Sequence, residues 1–184
     1  AKYCEGPYKT FIKSFYTKYE IQELKAIARR IHIEKKNGLS KDQFPFLKRN
    51  RRIQLDKVIA AKTILELIQA LEGTEYYPLL KSLLQDAEEG DKRLFGFEMS
   101  LDKSYFIILR ESAYSLGKKD RLAFKELMGT YIDMLNIQQI YRGKKFYRLS
   151  PEELFNYSIE EGNRFNYKKI LDLCYSKNEQ DFKS

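Results

Sequence analysis

YIDMLNIQQIYRGKKF, residues 131–146, places an aspartate and an asparagine three positions apart in an apolar helical run that ends in a basic cluster. At about 100° per residue, one side of this helix collects Phe124, Leu127, Met128, Tyr131 and Leu135. The other side collects Asp133, Asn136, Ile137 and Ile140. A helix that is apolar on both sides is predicted to lie at the centre of a bundle, with neighbours on each side.

The two polar residues of this run, Asp133 and Asn136, have two alternative uses. They could serve a catalytic site, or they could fix one helix against another. Burying a carboxylate without a partner costs several kcal/mol, so Asp133 is expected to meet a lysine, an arginine or backbone N–H groups. We interpret both residues as a polar lock that fixes helix register.

The rest of the chain shows the same helical spacing. Apolar residues recur three and four positions apart, only four prolines and nine glycines interrupt them, and strand-like alternation is scarce. The sequence therefore predicts an all-α fold. Core-facing stripes are predicted over residues 8–19, 58–71 and 101–116.

Several helix ends carry recognisable signals. Ser150 can cap a helix whose first position is Pro151, and Glu153 completes a capping box. Gly73 and Gly117 stand where helices are predicted to end, because glycine tolerates the left-handed conformation of a C-terminal cap.

An internal repeat organises the chain. TKYEIQELKAIAR, residues 17–29, aligns without a gap with TYIDMLNIQQIYR, residues 130–142. The matching positions are Thr17 with Thr130, Glu20 with Asp133, Leu24 with Ile137, Ile27 with Ile140 and Arg29 with Arg142. A second alignment lays residues from 63 over residues from 152 and places Gly73 on Gly162. The sequence therefore predicts two similar helical-bundle units.

We place the boundary between these units near residues 88–93, which gives a first helical unit over 1–90 and a second over 91–184. Within the first unit, residues 32–54 hold an Asn-Gly pair, an internal proline and a dense basic run. This composition predicts a mobile basic connection. The second unit is predicted to lack most of it.

Residues suited to a catalytic or metal site are scarce. His32 is the only histidine and is predicted to lie at a helix end, which leaves His-based triads and His-ligated metal sites without their parts. No glycine pair has the spacing of a dinucleotide-binding or phosphate-binding loop. We attribute the close carboxylates Glu98 and Asp102, and likewise Glu152 and Glu153, to helix starts and solvated faces. We therefore predict no catalytic, metal-ligating or cofactor-binding residue.

The formal net charge of +8 predicts an acidic partner, which could be nucleic acid, an anionic membrane face or an acidic protein surface. Two basic clusters that also hold aromatic residues supply the candidate contacts, namely Lys48, Arg49, Arg51 and Arg52, and Lys144, Lys145 and Arg148. Such interleaving is typical of a nucleic-acid groove, so a basic helical nucleic-acid-binding module is the alternative function. Cations at helix ends equally favour the helix dipole.

Cysteine usage and apolar runs indicate the compartment. Cys4 and Cys174 have no CxxC spacing, so reduced thiols in a cytoplasmic protein are expected. The longest apolar run, residues 105–109, is far shorter than the roughly 20 residues of a membrane span. No secretory signal opens the sequence.

Four stretches, in order and in register, carry a family resemblance: KYEIQELKAIAR (18–29), ALEGTEYYPLL (70–80), EMSLDKSYFIIL (98–109) and YIDMLNIQQIYRGKKF (131–146). They resemble successive signatures of the C subunit of prokaryotic V-type and A-type ATPases, the counterpart of the d subunit of the vacuolar enzyme. The resemblance extends over most of the chain.

The resemblance implies an all-helical, funnel-like protein of three similar units, without an active site, a cofactor or a small-molecule substrate. It implies a collar between the central stalk and the membrane rotor ring, at the cytoplasmic face of the membrane, that transmits torque for proton or sodium transport. Because the family's motifs are structural, it marks as helix-packing positions Glu20, Arg29, Asp133, Asn136 and Arg142. Family members are roughly double this length, so the chain is expected to be a central fragment without the N-terminal helix and the third unit.

Overall fold

The computed structural model describes residues 5–33, 40–85 and 90–176. Within these ranges the chain forms helices joined by turns and irregular segments, with no strand, so the predicted all-α fold is confirmed. The chain divides into two compact units, Ala1–Ser112 and Ala113–Ser184. Part of the predicted boundary near 88–93 lies outside the described residues, and the predicted duplication remains a prediction.

The first unit contains, in chain order, α1 (Gly6–Ser14), α2 (Thr17–His32), α3 (Pro45–Arg49), α4 (Leu55–Ala60), α5 (Ile64–Ala70), α6 (Tyr77–Leu80) and α7 (Asp91–Ala113), whose last residue belongs to the second unit. Short 3-10 helices precede α3 and follow α6, at Lys41–Gln43 and Lys81–Leu84. The core of this unit includes the fully buried side chains of Leu24, Ile27, Leu47, Leu67 and Ile68.

The second unit contains α8 (Lys118–Arg142), α9 (Pro151–Tyr157) and α10 (Tyr167–Tyr175). A π-helical turn, Gly143–Tyr147, continues α8. The core of the second unit is built by buried side chains, namely Ile132, Ile140, Leu154, Ile159, Ile170 and Leu173. No helix in the described part of the chain has the length and apolar character needed to cross a membrane.

Helix ends follow the sequence signals in two of the three predicted places. The capping box at Ser150 is present, with Glu153 N–H donating to Ser150 Oγ and Ser150 N–H donating to Glu153 Oε2. Gly73 has a φ of +80° in the turn just beyond α5, whose C-cap is Leu71. Gly117 differs: α7 already ends at Ala113, and Gly117 precedes the first residue of α8.

Two predicted stripes are interrupted. The stripe over 58–71 breaks between α4 and α5 because Thr63 caps α5, its Oγ1 accepting from Glu66 N–H at 3.1 Å. The stripe over 8–19 divides between α1 and α2, and its Tyr8, Phe15 and Tyr19 side chains are exposed, so the core-facing prediction is wrong for them. Tyrosine tolerates this exposure because its hydroxyl group can stay in water.

Part of the predicted mobile basic connection, residues 32–54, forms helices, and its mobility remains a prediction. Residues 34–39 lie outside the described part, but residues 41–49 form a 3-10 helix and α3, and the side chains of Phe44, Leu47 and Ile53 are buried. The basic residues occupy the exposed side of this segment, whereas the apolar residues between them supply core contacts. The composition of this segment indicated its exposed cations but did not predict that its apolar residues are buried in the core.

The second side of α8 is also not as predicted. The side that carries Asp133 and Asn136 is buried, together with Gly129 and Ile140. On the opposite side Leu127 is 70% exposed, so α8 is covered on only one side. The periodicity identified two apolar sides correctly, but it could not say whether a neighbour is present for each.

Candidate functional site

Asp133 joins α8 to the loop that precedes α10. Its Oδ2 accepts from the backbone N–H of Arg164 at 2.7 Å, and its Oδ1 accepts from that of Phe165 at 3.2 Å. Two donors to a buried carboxylate offset the loss of its water. Backbone N–H groups are one of the partners that the sequence predicted, although they belong to a loop and not to a second helix.

Glycines allow this loop to approach α8 closely. A Cβ atom at Gly162 would overlap the Asp133 carboxylate, and a Cβ atom at Gly129 would overlap the side chain of Asn163. The Asn163 amide nitrogen donates to the Glu126 carbonyl at 2.6 Å, across the space that Gly129 leaves open. The loop is therefore held against α8 at successive turns of the helix.

Asn136 makes the second contact of this kind. Its Oδ1 accepts from the backbone N–H of Ile159 at 2.8 Å, and its Nδ2 donates to the Ile159 carbonyl at 2.8 Å. Asn136 is 1% exposed, so both bonds lie away from water. They supply hydrogen bonds to the N–H and carbonyl groups of Ile159, which lies outside the helices.

The first unit has a matching contact. The Glu23 carboxylate on α2 accepts from the backbone N–H of Phe46 at 3.2 Å and from that of Leu47 at 2.9 Å, at the start of α3. The repeat alignment places Glu23 on Asn136, and both residues bind backbone 23 positions further along the chain, at Phe46 and Ile159. This common spacing supports the predicted repeat.

Glu20, the counterpart of Asp133, has side-chain partners. Its Oε2 accepts from Asn50 Nδ2 and from the Tyr76 hydroxyl group, each at 2.8 Å. Burial raises the pKa of Glu20 above its ordinary value, and the two hydrogen bonds partly oppose that rise. Burial and the neighbouring Glu20 charge likewise raise the pKa of Tyr76.

A ladder of polar pairs joins α2 to α7. Lys25 Nζ lies 2.6 Å from Asp102 Oδ1, and Arg29 Nε lies 2.5 Å from Glu98 Oε1. Further along, His32 Nε2 lies 2.7 Å from an Asp91 oxygen. Because the partners' numbers fall as those on α2 rise, the two helices run antiparallel.

This ladder corrects the interpretation of Glu98 and Asp102. Both lie inside α7 and pair with cations of α2, and Glu98 is only 6% exposed, so neither occupies a helix start or a solvated face. Burial raises the pKa of Asp102, while the Lys25 ammonium group lowers it. Arg29 thus lies at a helix-packing contact. Arg142, its counterpart, is the half-buried last residue of α8.

The first basic cluster is largely occupied by contacts within the chain. Lys48 Nζ lies 3.0 Å from Asp42, and Arg52 lies 3.7 Å from Glu75. The Arg49 guanidinium group lies over the Phe46 ring, 5.9 Å from its centre. These pairings reduce the charge that the cluster presents to a nucleic acid, and Arg51 is an exposed residue beside them.

In the second basic cluster one lysine is packed within the chain and the other two cations lie on the surface. Lys144 Nζ donates to the carbonyls of Leu173 and Ser176, at 2.5 and 2.6 Å, and so satisfies the C-terminal end of α10. Lys145 lies over the Tyr141 ring, 5.0 Å from its centre, and is exposed. Arg148 is exposed with a left-handed φ of 50°. Lys144 is therefore a structural residue, whereas Lys145 and Arg148 remain candidate contacts.

The remaining reactive side chains are accounted for within the described residues. His32 is the last residue of α2, at a helix end as predicted. No group of three or more His, Cys, Asp or Glu residues in the described ranges could hold a metal ion. Cys174 is buried, which raises the pKa of its thiol to about 11, and Cys4 lies outside the described residues.

These contacts define a class of all-helical protein in which buried carboxylates and amides hold loops and helices together. A family model described as the ATP synthase (C/AC39) subunit matches residues 1–184. The chain therefore belongs to the ATP synthase C/AC39 subunit family, which confirms the resemblance seen in its sequence.

Individual relatives agree with this assignment. The C subunit of the A-type ATP synthase of Methanocaldococcus jannaschii is 32% identical over 169 residues, which cover 90% of this chain and 41% of the relative. The corresponding protein of Methanosarcina mazei is 31% identical over 121 residues, which cover 66% of this chain and 32% of the relative. The chain thus spans less than half the length of the curated relatives that it matches. No solved structure matches the chain significantly.

Proposed function

We propose that this chain is a non-catalytic coupling component of a V-type or A-type rotary ATPase, where it links the central stalk to the membrane rotor ring. The observation that carries the proposal is the family match over residues 1–184, together with relatives that are C subunits of A-type ATP synthases. In this role the chain transmits torque for proton or sodium transport, at the cytoplasmic face of the membrane.

Torque transmission requires a body that moves without deforming. The Arg29–Glu98 and Lys25–Asp102 pairs resist sliding of α2 along α7, because a shift of either helix would leave partly buried charges unpaired. Asp133 and Asn136 similarly tie loop backbone to α8. These contacts support a mechanical role for the polar residues.

Charge supports an acidic binding partner. The formal net charge is +8, and the exposed cations Arg51, Lys145 and Arg148 are the candidate contacts with stalk or ring proteins. The proposal assigns the chain no hydrolytic activity, cofactor or small-molecule substrate of its own.

Binding to purified central stalk and to purified rotor ring of an A-type ATPase tests this role. The immobilised chain is expected to retain at least one of them saturably, and neutralising Arg51, Lys145 and Arg148 together is expected to weaken retention. A matched variant that neutralises the exposed Lys118, Lys119 and Lys125 controls for net charge.

The nucleic-acid alternative is tested in the same assay with single-stranded and duplex DNA and RNA. Failure to retain stalk or ring, combined with nucleic-acid binding that falls steeply with salt, would replace the proposed function by the alternative.

A further inference from the structure

We draw no further inference here: the strongest candidate, the exposed apolar stripe of Leu127, Tyr131 and Met134 on the open side of α8, carries nothing because no contact in the described part of the chain shows what covers it.

Discussion

Asn136 holds the backbone of Ile159 with both ends of its amide, accepting from the N–H group and donating to the carbonyl group at 2.8 Å each. A carboxamide has a donor and an acceptor side by side, whereas an aspartate of the same size only accepts when ionised. The contact therefore depends on the amide itself, and it ties the residues after α9 to the C-terminal half of α8.

Replacing Asn136 by alanine should lower the free energy of unfolding by about 2–4 kcal/mol, because two buried backbone groups of Ile159 lose their partners. Urea unfolding followed by circular dichroism measures the change. Gln138→Ala, at an exposed position of the same helix, should stay within about 0.5 kcal/mol of the parent chain. Equal effects at the two positions would contradict the assigned role of Asn136.

Gly162→Ala should lower the free energy of unfolding by about 1–3 kcal/mol, because the added Cβ atom displaces the Asp133 carboxylate from its two backbone donors. Asp133→Ala should also destabilise the chain, since it leaves those donors unpaired. The double variant should lose less free energy of unfolding than the two single variants lose in sum, because the shorter side chain at position 133 makes room for the new methyl group. Additive effects in this double-mutant cycle would show that the two sites do not share a contact. Gly117→Ala, where a Cβ atom meets Asp120 Oδ2 at an ordinary 3.7 Å, is the control.

The buried carboxylate of Glu20 should make stability depend on pH. Its folded-state pKa is raised above the ordinary value of 4.5, so the folded chain binds a proton more tightly than the unfolded chain. The contribution of Glu20 to the free energy of unfolding therefore falls as pH rises from 4.5 through the raised folded-state pKa. Glu20→Gln keeps an oxygen for the Asn50 and Tyr76 donors but cannot ionise, so the variant should gain stability relative to the parent as pH increases. Urea midpoints across this range measure the difference, and Glu111→Gln, at an exposed position, is the matched control.

Removing one residue of the Arg29–Glu98 pair should lower the free energy of unfolding more than removing both residues. Arg29→Leu leaves the buried Glu98 carboxylate without this cation and should lower the free energy of unfolding by about 1–3 kcal/mol, an amount limited by the 61% exposure of the Arg29 side chain. The double variant Arg29→Leu with Glu98→Leu should recover part of that loss. A double variant less stable than Arg29→Leu alone would contradict this prediction, because it would show that Glu98 without Arg29 is less costly than a leucine at its position.

Local sequence signals predicted helix caps and turns correctly where only neighbouring residues determine the backbone conformation. The capping box at Ser150 and the left-handed Gly73 are examples, since each depends on a few adjacent residues. The Thr63 cap of α5 has the same kind of local signal, Thr-x-x-Glu, but it lies inside a longer apolar stripe that predicts one continuous helix. The need of Asp133 for a partner also followed from its sequence context, but the identity of the loop did not.

The sequence by itself determined that the chain is helical and that α8 is apolar on two sides, because helical periodicity and capping are properties of residues a few positions apart. The tertiary structure alone decided that Arg29 meets Glu98, that Asp133 binds a loop backbone and that the Leu127 side of α8 stays open. Such contacts join residues far apart in the chain, and their distances follow from how the helices pack rather than from any local pattern.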